Sequence, residues 1–473
     1  MALPTRFSAR PAVSRILVVT LDTLAARMAG PAIRAWEIST ALAAEHEVRL
    51  VTFGLCDRVG GTFFTSQVTV TDFRSEVGNA DIIIIQGFVA ATFPWLQACP
   101  QIIVVDLYDP FHLESLEVER YAPAEQRRTA LNSALRELGA QIARGDLFLC
   151  ASEKQRDLWL GHLAAAGRIN PYTYDSDPSL RSLITVVPFG TSPSRPERHS
   201  PAIKGVVPGI SPDSKVVLWG GGVYNWFDPV TVVRAIDQVR HCAPDVRLYF
   251  LGMKHPNPDV PEMAMATRTR ELSDQLGLTG TYVFFNEDWV AYERRADYLL
   301  DADIGVSAHY EHIETAFSFR TRILDYLWAS LPIVSTTGDT FGDLVASEDL
   351  GAAVPPEDVD ALADAFERLL SDESERDRVR ANVERVAVQY TWPVVLEPLL
   401  AFCRDPRRAR DADRSPLFSV VEIESTWVGR LQADVVAALR FVRREGPRAT
   451  FAEARRRLLQ RAGRHQTRPR TCR

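Results

Sequence analysis

Short, almost unbroken apolar runs, each followed by a loop and an amphipathic stretch, constrain this chain more than any other feature. Runs of that kind are stable as strands buried on both faces of a parallel sheet. Residues 15–20 are the first, with Ile16, Leu17, Val18 and Val19 in succession. A loop follows at 22–31, a helix is expected over 32–45, and 46–53 reads as the next strand. This is a βαβ unit, the start of a doubly wound sheet. Further strands are expected at 68–73, 81–86, 101–106 and 147–151, with helices over 124–144 and from a Ser152 cap to 166. The segment 184–190 closes this half.

A Pro-rich stretch at 188–212 reads as a linker, after which the pattern restarts. Strands are expected at 215–220, 247–252, 283–286, 304–307, 333–335 and 351–354. Helices are expected at 229–242, 268–276, 291–300, 358–370, 373–388 and 392–403. The fold class is therefore α/β, with two doubly wound Rossmann-like domains facing across a cleft. The division is 1–190, a linker at 191–212, a second domain at 213–392, a terminal helix at 393–405 and a basic helical or disordered extension at 406–473.

At 473 residues with 46% hydrophobic content, the chain can bury cores for two or three domains. A formal net charge of −7 argues against bulk nucleic-acid binding. The six cysteines lack paired spacing, so no zinc motif or disulfide framework is implied, and a reducing cytoplasm fits. No apolar stretch is long enough to span a membrane. The Arg-rich end allows peripheral attachment to an anionic membrane, at the inner face of the plasma membrane, or docking to a partner. A helix over 420–444 with Val421, Trp427, Leu431, Val435 and Leu439 on one side fits either role, or a plain docked terminus.

Three stretches concentrate polar chemistry. The first is 309–328, a loop of acids, histidines and arginines turning into a helix. Ser318 is expected to cap that helix, with Ser318, Thr321, Arg322 and Asp325 sharing one face. Its N-terminus near Arg320 and Thr321 could hold a phosphate, Arg322 could add a charge-assisted fork, and Asp325 could accept from ribose hydroxyls. The plainer reading is a solvated face with an internal Arg322–Asp325 pair. The second stretch is the loop before the first helix, where Gly30 permits close backbone approach and Arg34 sits in the first turn. It lacks the GxGxxG spacing of a dinucleotide site. The third is Asp106, Asp109, His112 and Glu114 at the carboxyl end of a strand, where turn chemistry around Asp109-Pro110 is the alternative.

Leu324-Asp325-Tyr326-Leu327-Trp328-Ala329-Ser330-Leu331-Pro332-Ile333-Val334 resembles the closing half of the donor site in GT-B glycosyltransferases of family four. Glu314 to Arg322, Trp219 to Pro229 and Val105 to Pro110 are similar to a subgroup acting on bacterial cell-envelope polysaccharides. The resemblance covers 15–403. It departs from the family in three ways: Glu314 and Asp325 are spaced more widely than the usual acid pair, Gly221 and Gly222 stand where an Arg and a Lys are usual, and Tyr108 or Asp109, with His112 nearby, occupies the place of a first-domain histidine. Arg320, Arg322 and Lys254 are the available replacements.

The resemblance implies transfer of a sugar from a nucleotide-diphosphate donor to a glycan or lipid-linked acceptor, with retention and without a metal or other cofactor. It implies Glu314 at the donor sugar, Asp325 at the ribose, and Trp289 and Val290 over the base. Gly30 and Arg34 would meet the diphosphate across the cleft. Asp106, Asp109, His112 and Glu114 would stand on the acceptor side, one of them a general base. A non-catalytic nucleotide-sugar-binding or partner protein of the same fold, and a nucleotide-sugar epimerase, are the alternatives.

Overall fold

The structure, a computed structural model, describes residues 13–253 and 263–413. Two parallel sheets organise it. The first comprises β1 (Arg15–Thr20), β2 (Glu47–Thr52), β3 (Phe64–Gln67), β4 (Ile82–Gln86), β5 (Ile102–Asp106), β6 (Leu147–Cys150) and β7 (Ile184–Val186), in the order β3-β2-β1-β4-β5-β6-β7. The second comprises β8 (Lys215–Trp219), β9 (Val246–Phe250), β10 (Val283–Phe285), β11 (Ile304–Ser307), β12 (Ile333–Thr336) and β13 (Gly351–Val354), in the order β10-β9-β8-β11-β12-β13. All pairings are parallel; Ile16 lies beside Val48 on one side and Ile82 on the other. β4 is buried at every position, as its all-apolar Ile82-Ile83-Ile84-Ile85 requires.

Strand order reverses between β1 and β4 and again between β8 and β11. In open parallel sheets the crevice at such a switch point, beyond the carboxyl ends of the strands, is where ligands collect. Helices seal the faces. On the second sheet, Pro229–Val239 buries Val232, Val233 and Ile236 beside Val359–Ser371, which buries Leu362, Phe366 and Leu369. Both helices are started by an Asp whose carboxylate accepts a first-turn N–H: Asp228 from Thr231 and Asp358 from Ala361.

Three local expectations are corrected. The strand placed at 68–73 lies earlier, at β3. Thr69 Oγ1 accepts from the Asp72 N–H and turns the chain into a helix at Phe73–Gly78. The linker is not a free tether: one Asp301 carboxylate oxygen accepts from the N–H groups of Ala202 and Ile203, each at 2.8 Å, and Ile203 and Ile210 are buried. The terminal helix breaks at Leu396 into Trp392–Val395 and Glu397–Arg404 and returns to the first sheet. There Arg404 pairs with Glu45, Arg408 with Asp146 and Asp411 with Arg168, so 406–413 docks rather than trailing away. The rest of the basic extension, including the helix expected at 420–444, lies outside the described residues. No helix among the described residues is long and apolar enough to cross a membrane.

Candidate functional site

The carboxyl ends of the two sheets face one another across a cavity of about 480 Å³, within the range of small-ligand sites. From the first domain it is lined by Met28, Ala29, Gly30, Tyr108, Asp109 and Glu114, among others. From the second come the Gly220–Gly222 turn, Trp289, Val290, Arg295, Glu314 and the segment 318–325.

Local packing explains this placement. Gly221 has φ +95°, a left-handed conformation that glycine adopts without strain, and it turns the chain sharply after β8. Tyr326, from the helix Arg322–Trp328, fits under the turn. Its hydroxyl accepts the Gly220 N–H at 2.8 Å and lies 2.8 Å from the Val306 carbonyl. Its ring occupies the space a Cβ on Gly305 would need, within 2.4 Å. The helix is thereby pinned at the switch point with Arg322 and Asp325 at the cavity.

Arg322 is buried, its guanidinium between Phe227 at 3.9 Å and Trp219 at 4.3 Å. Nη2 donates to the Gly222 carbonyl at 2.9 Å, while Nη1 has no hydrogen-bond partner among the described residues. Burial lowers its pKa to about 10, which still leaves it charged at neutral pH. A buried cation with an unused donor at a cavity wall is a site for an anion.

Other placements differ from the sequence expectations. Ser318 does not cap the helix: it ends the preceding helix, Ile313–Phe317, and its hydroxyl donates to the Glu314 carbonyl. Arg320 is not a free cation. It forks onto Glu314 at 3.0 and 2.8 Å, so the residue assigned to phosphate and the residue assigned to the sugar neutralise each other. Asp325 pairs with Arg295 at 3.1 Å, not with Arg322, and its side chain remains about a third open, at 37%. Burial raises its pKa and Arg295 opposes the rise. Thr321 is exposed at the cavity. Trp289 packs against Gly252, where no side chain blocks it. Lys254 lies outside the described residues.

The first domain separates its candidates more sharply. Arg34 and Asp106 are both fully buried at the side chain and form a two-pronged ion pair at 2.7 and 2.8 Å, with Arg34 also donating to the Val187 and Pro188 carbonyls. They tie the first helix to β5 and β7, and neither lines the cavity. His112 is turned away as well, packed on Trp159 and His162; burial lowers its pKa to about 4. Asp109 does reach the cavity. So does Glu114, through the helix Phe111–Val118, which brings the two carboxyls together. Burial raises Asp109 to about 6 and pushes Glu114 upward too, with the Glu314 charge adding to both shifts. Gly30 stands at the N-terminus of its helix, Gly30–Leu42, where the positive end of the dipole meets the cavity.

Arg295 was not anticipated. Its guanidinium lies 3.8 Å over Tyr292 and 4.5 Å over Trp328. Its only trace in the sequence is an Arg-Arg pair at the start of an expected helix, which looks like an ordinary solvated face.

Residues 214–372 match the family described as glycosyl transferases group 1. Among solved structures, sucrose-phosphate synthase from Thermosynechococcus elongatus is 17% identical with a TM-score of 0.61, over 83% of this chain and 98% of that one. WaaG, a glycosyltransferase involved in lipopolysaccharide biosynthesis, is 15% identical with a TM-score of 0.57, over 82% and 98%. HepE from Anabaena, in complex with UDP and glucose, is 14% identical with a TM-score of 0.57, again over 82% and 98%. No curated protein matches the sequence. The two facing doubly wound domains are the GT-B fold. Within that fold, the match to glycosyl transferases group 1 lies in the second domain, at residues 214–372.

Proposed function

We propose that the chain moves a sugar from a nucleotide-diphosphate donor, bound on the second domain, to a hydroxyl of a glycan or lipid-linked acceptor presented at the first. The observation that carries this reading is Arg322, buried and with an unused donor beside the glycine turn. Cleaving the anomeric C–O bond leaves negative charge on the departing phosphate, and a preorganised guanidinium in a water-poor cavity stabilises that charge most as it develops. The N-terminus of Gly30–Leu42 would meet the same phosphates from the opposite side.

Asp325, with one oxygen on Arg295, would receive ribose hydroxyls on the other, while Trp289 and Val290 would cover the base. Glu314, held by Arg320, would face the donor sugar. Asp109, with a pKa of about 6, would take the proton lost by the acceptor hydroxyl. The reading carries retention at the anomeric carbon, with guanidinium rather than metal at the phosphate. Its setting would be bacterial polysaccharide or glycolipid synthesis in the cytoplasm. WaaG and the UDP complex of HepE support that direction and make UDP-sugars the first donors to test.

The test is a thermal-shift screen of UDP, GDP and dTDP, followed by release of the nucleoside diphosphate from the matching sugars. Asp325→Ala is expected to weaken nucleotide binding roughly ten-fold, the scale of one lost hydrogen bond to a charged group. Arg322→Ala is expected to lower turnover about 10²-fold with a smaller effect on binding. Arg322→Lys, which keeps the charge but loses the fork and the stacking, should fall between. Wild-type affinity and rate in both alanine variants would show that the site is misplaced. Binding without release of nucleoside diphosphate from any sugar nucleotide would leave a binding protein.

A further inference from the structure

The cations that line the cavity all come from one domain, whereas acids come from both. Among the described lining residues of the first domain, Asp109 and Glu114 are the charged ones, and both are acids. The cations, Arg295, Arg320 and Arg322, all belong to the second domain. Two of them are occupied, Arg295 by Asp325 and Arg320 by Glu314. Arg322 keeps an unpartnered buried Nη1 with no carboxylate beside it and sits by the glycine turn, whereas the Nε of Arg320, also without a hydrogen bond, lies 3.9 Å from the Asp339 carboxylate. Among the described residues, the cation that acts on the acid wall, Arg320, is already neutralised by Glu314.

We infer that the acceptor is an uncharged sugar at the end that enters the cavity, bound through its hydroxyls by Asp109 and Glu114, and that acceptors carrying a phosphate or carboxylate there are rejected. The inference rests on the glycosyl-transfer reading for which side of the cavity is which. Its chemistry is local. Two close carboxyls offer acceptors, and a donor when one of them is protonated, which suits adjacent hydroxyls of a sugar ring. A phosphate in the same place would meet like charge, with the nearby Arg320 already paired to Glu314, the arrangement by which interfaces exclude wrong partners. Tyr108 and Phe189 beside the acids supply apolar surface for a ring face.

The experiment uses the full chain saturated with whichever of UDP, GDP or dTDP raises its melting temperature, so that Arg322 is already occupied. Saturation-transfer NMR then compares methyl glucoside, galactoside and mannoside with the matching 6-phosphates. Transfer to at least one methyl glycoside is expected, with its 6-phosphate roughly ten-fold weaker. The Asp109→Asn/Glu114→Gln double variant should narrow that difference. Equal or stronger transfer to the 6-phosphates in the wild type overturns the inference, and so does no transfer to either set. Failure of all three nucleotides to bind is a separate result that removes the donor reading. In that case the same comparison is run on the free protein and judged by the same outcomes.

Discussion

Asp109 lies in the cavity wall with its pKa raised to about 6, chiefly by burial. Its folded-state value is above the ordinary aspartate value near 4, so the folded chain holds more protons than the unfolded chain between those two points. Stability contributed by this group is therefore present at low pH and lost as pH rises through about 6. Glu114, shifted in the same direction, extends the window upward. Other carboxylates act oppositely: Asp81 and Asp177 are held low by hydrogen bonds from their neighbours and lose their contribution as pH falls. The comparison that isolates Asp109 is thus wild type against Asp109→Asn. Melting temperatures measured from about pH 4.5 to 7.5 should fall less on the alkaline side in the variant; parallel curves would mean that Asp109 is ionised at an ordinary pKa. The residue scale is also where the sequence was least legible. Arg34, Arg320 and Arg322 are all arginines near expected ligand loops, and their sequence contexts do not separate them. Their carboxylate partners do: Asp106 takes Arg34 and Glu314 takes Arg320, while Arg322 has no carboxylate and keeps a free Nη1.

The element scale was far more legible. The helix expected at 124–144 is Ala124–Arg144, the Ser152 cap is present, and every strand of the second sheet falls within about a residue or two of its place. Apolar period and capping residues are local properties, and local properties can be read without the fold. The start of the helix Arg322–Trp328 was missed because Ser318 is locally a good cap, yet its hydroxyl is taken by the Glu314 carbonyl. What fixes this helix is Tyr326, whose role could not be read from its own neighbours. Tyr326→Phe would strand the Gly220 N–H and should cost about 1–3 kcal/mol in urea unfolding. Gly305→Ala would force a Cβ into the Tyr326 ring and should cost a similar ~1–3 kcal/mol. Because both act on one contact, the double variant should destabilise by less than the sum. Strict additivity would show that the two residues do not share the joint.

At the scale of the whole molecule, the domains are joined in two different ways. Behind the cavity the joint is made by backbone and packing: the Thr191 N–H donates to the Tyr390 carbonyl, the Trp392 N–H to the Thr191 carbonyl, and Trp392 lies against Gly190. At the mouth it is a small clasp. The Tyr292 hydroxyl donates to Glu37 at 3.3 Å, its N–H donates to the Ala26 carbonyl at 3.2 Å, and Glu293 pairs with Arg58 at 2.7 Å. The clasp sits between Trp289 and Arg295, so whatever opens it also moves the residues around Asp325. The Glu293–Arg58 pair is more than half exposed on the Glu side, at 56%, and should contribute little. Tyr292 and Glu37 are different: burial has already raised the Glu37 pKa, and the Tyr292 hydroxyl works against that rise by hydrogen bonding to the carboxylate. Losing that bond in Tyr292→Phe should shift the balance toward an open form by ~1 kcal/mol, about five-fold in population. Small-angle scattering of the nucleotide-free variant should then show a larger radius of gyration than wild type, and saturating nucleotide should restore the wild-type value. The apparent nucleotide affinity should fall by up to the same factor while turnover at saturation changes little, because ligand binding repays the closure. An unchanged radius with unchanged affinity would mean that the hinge behind the cavity, and not the clasp at its mouth, sets the domain angle.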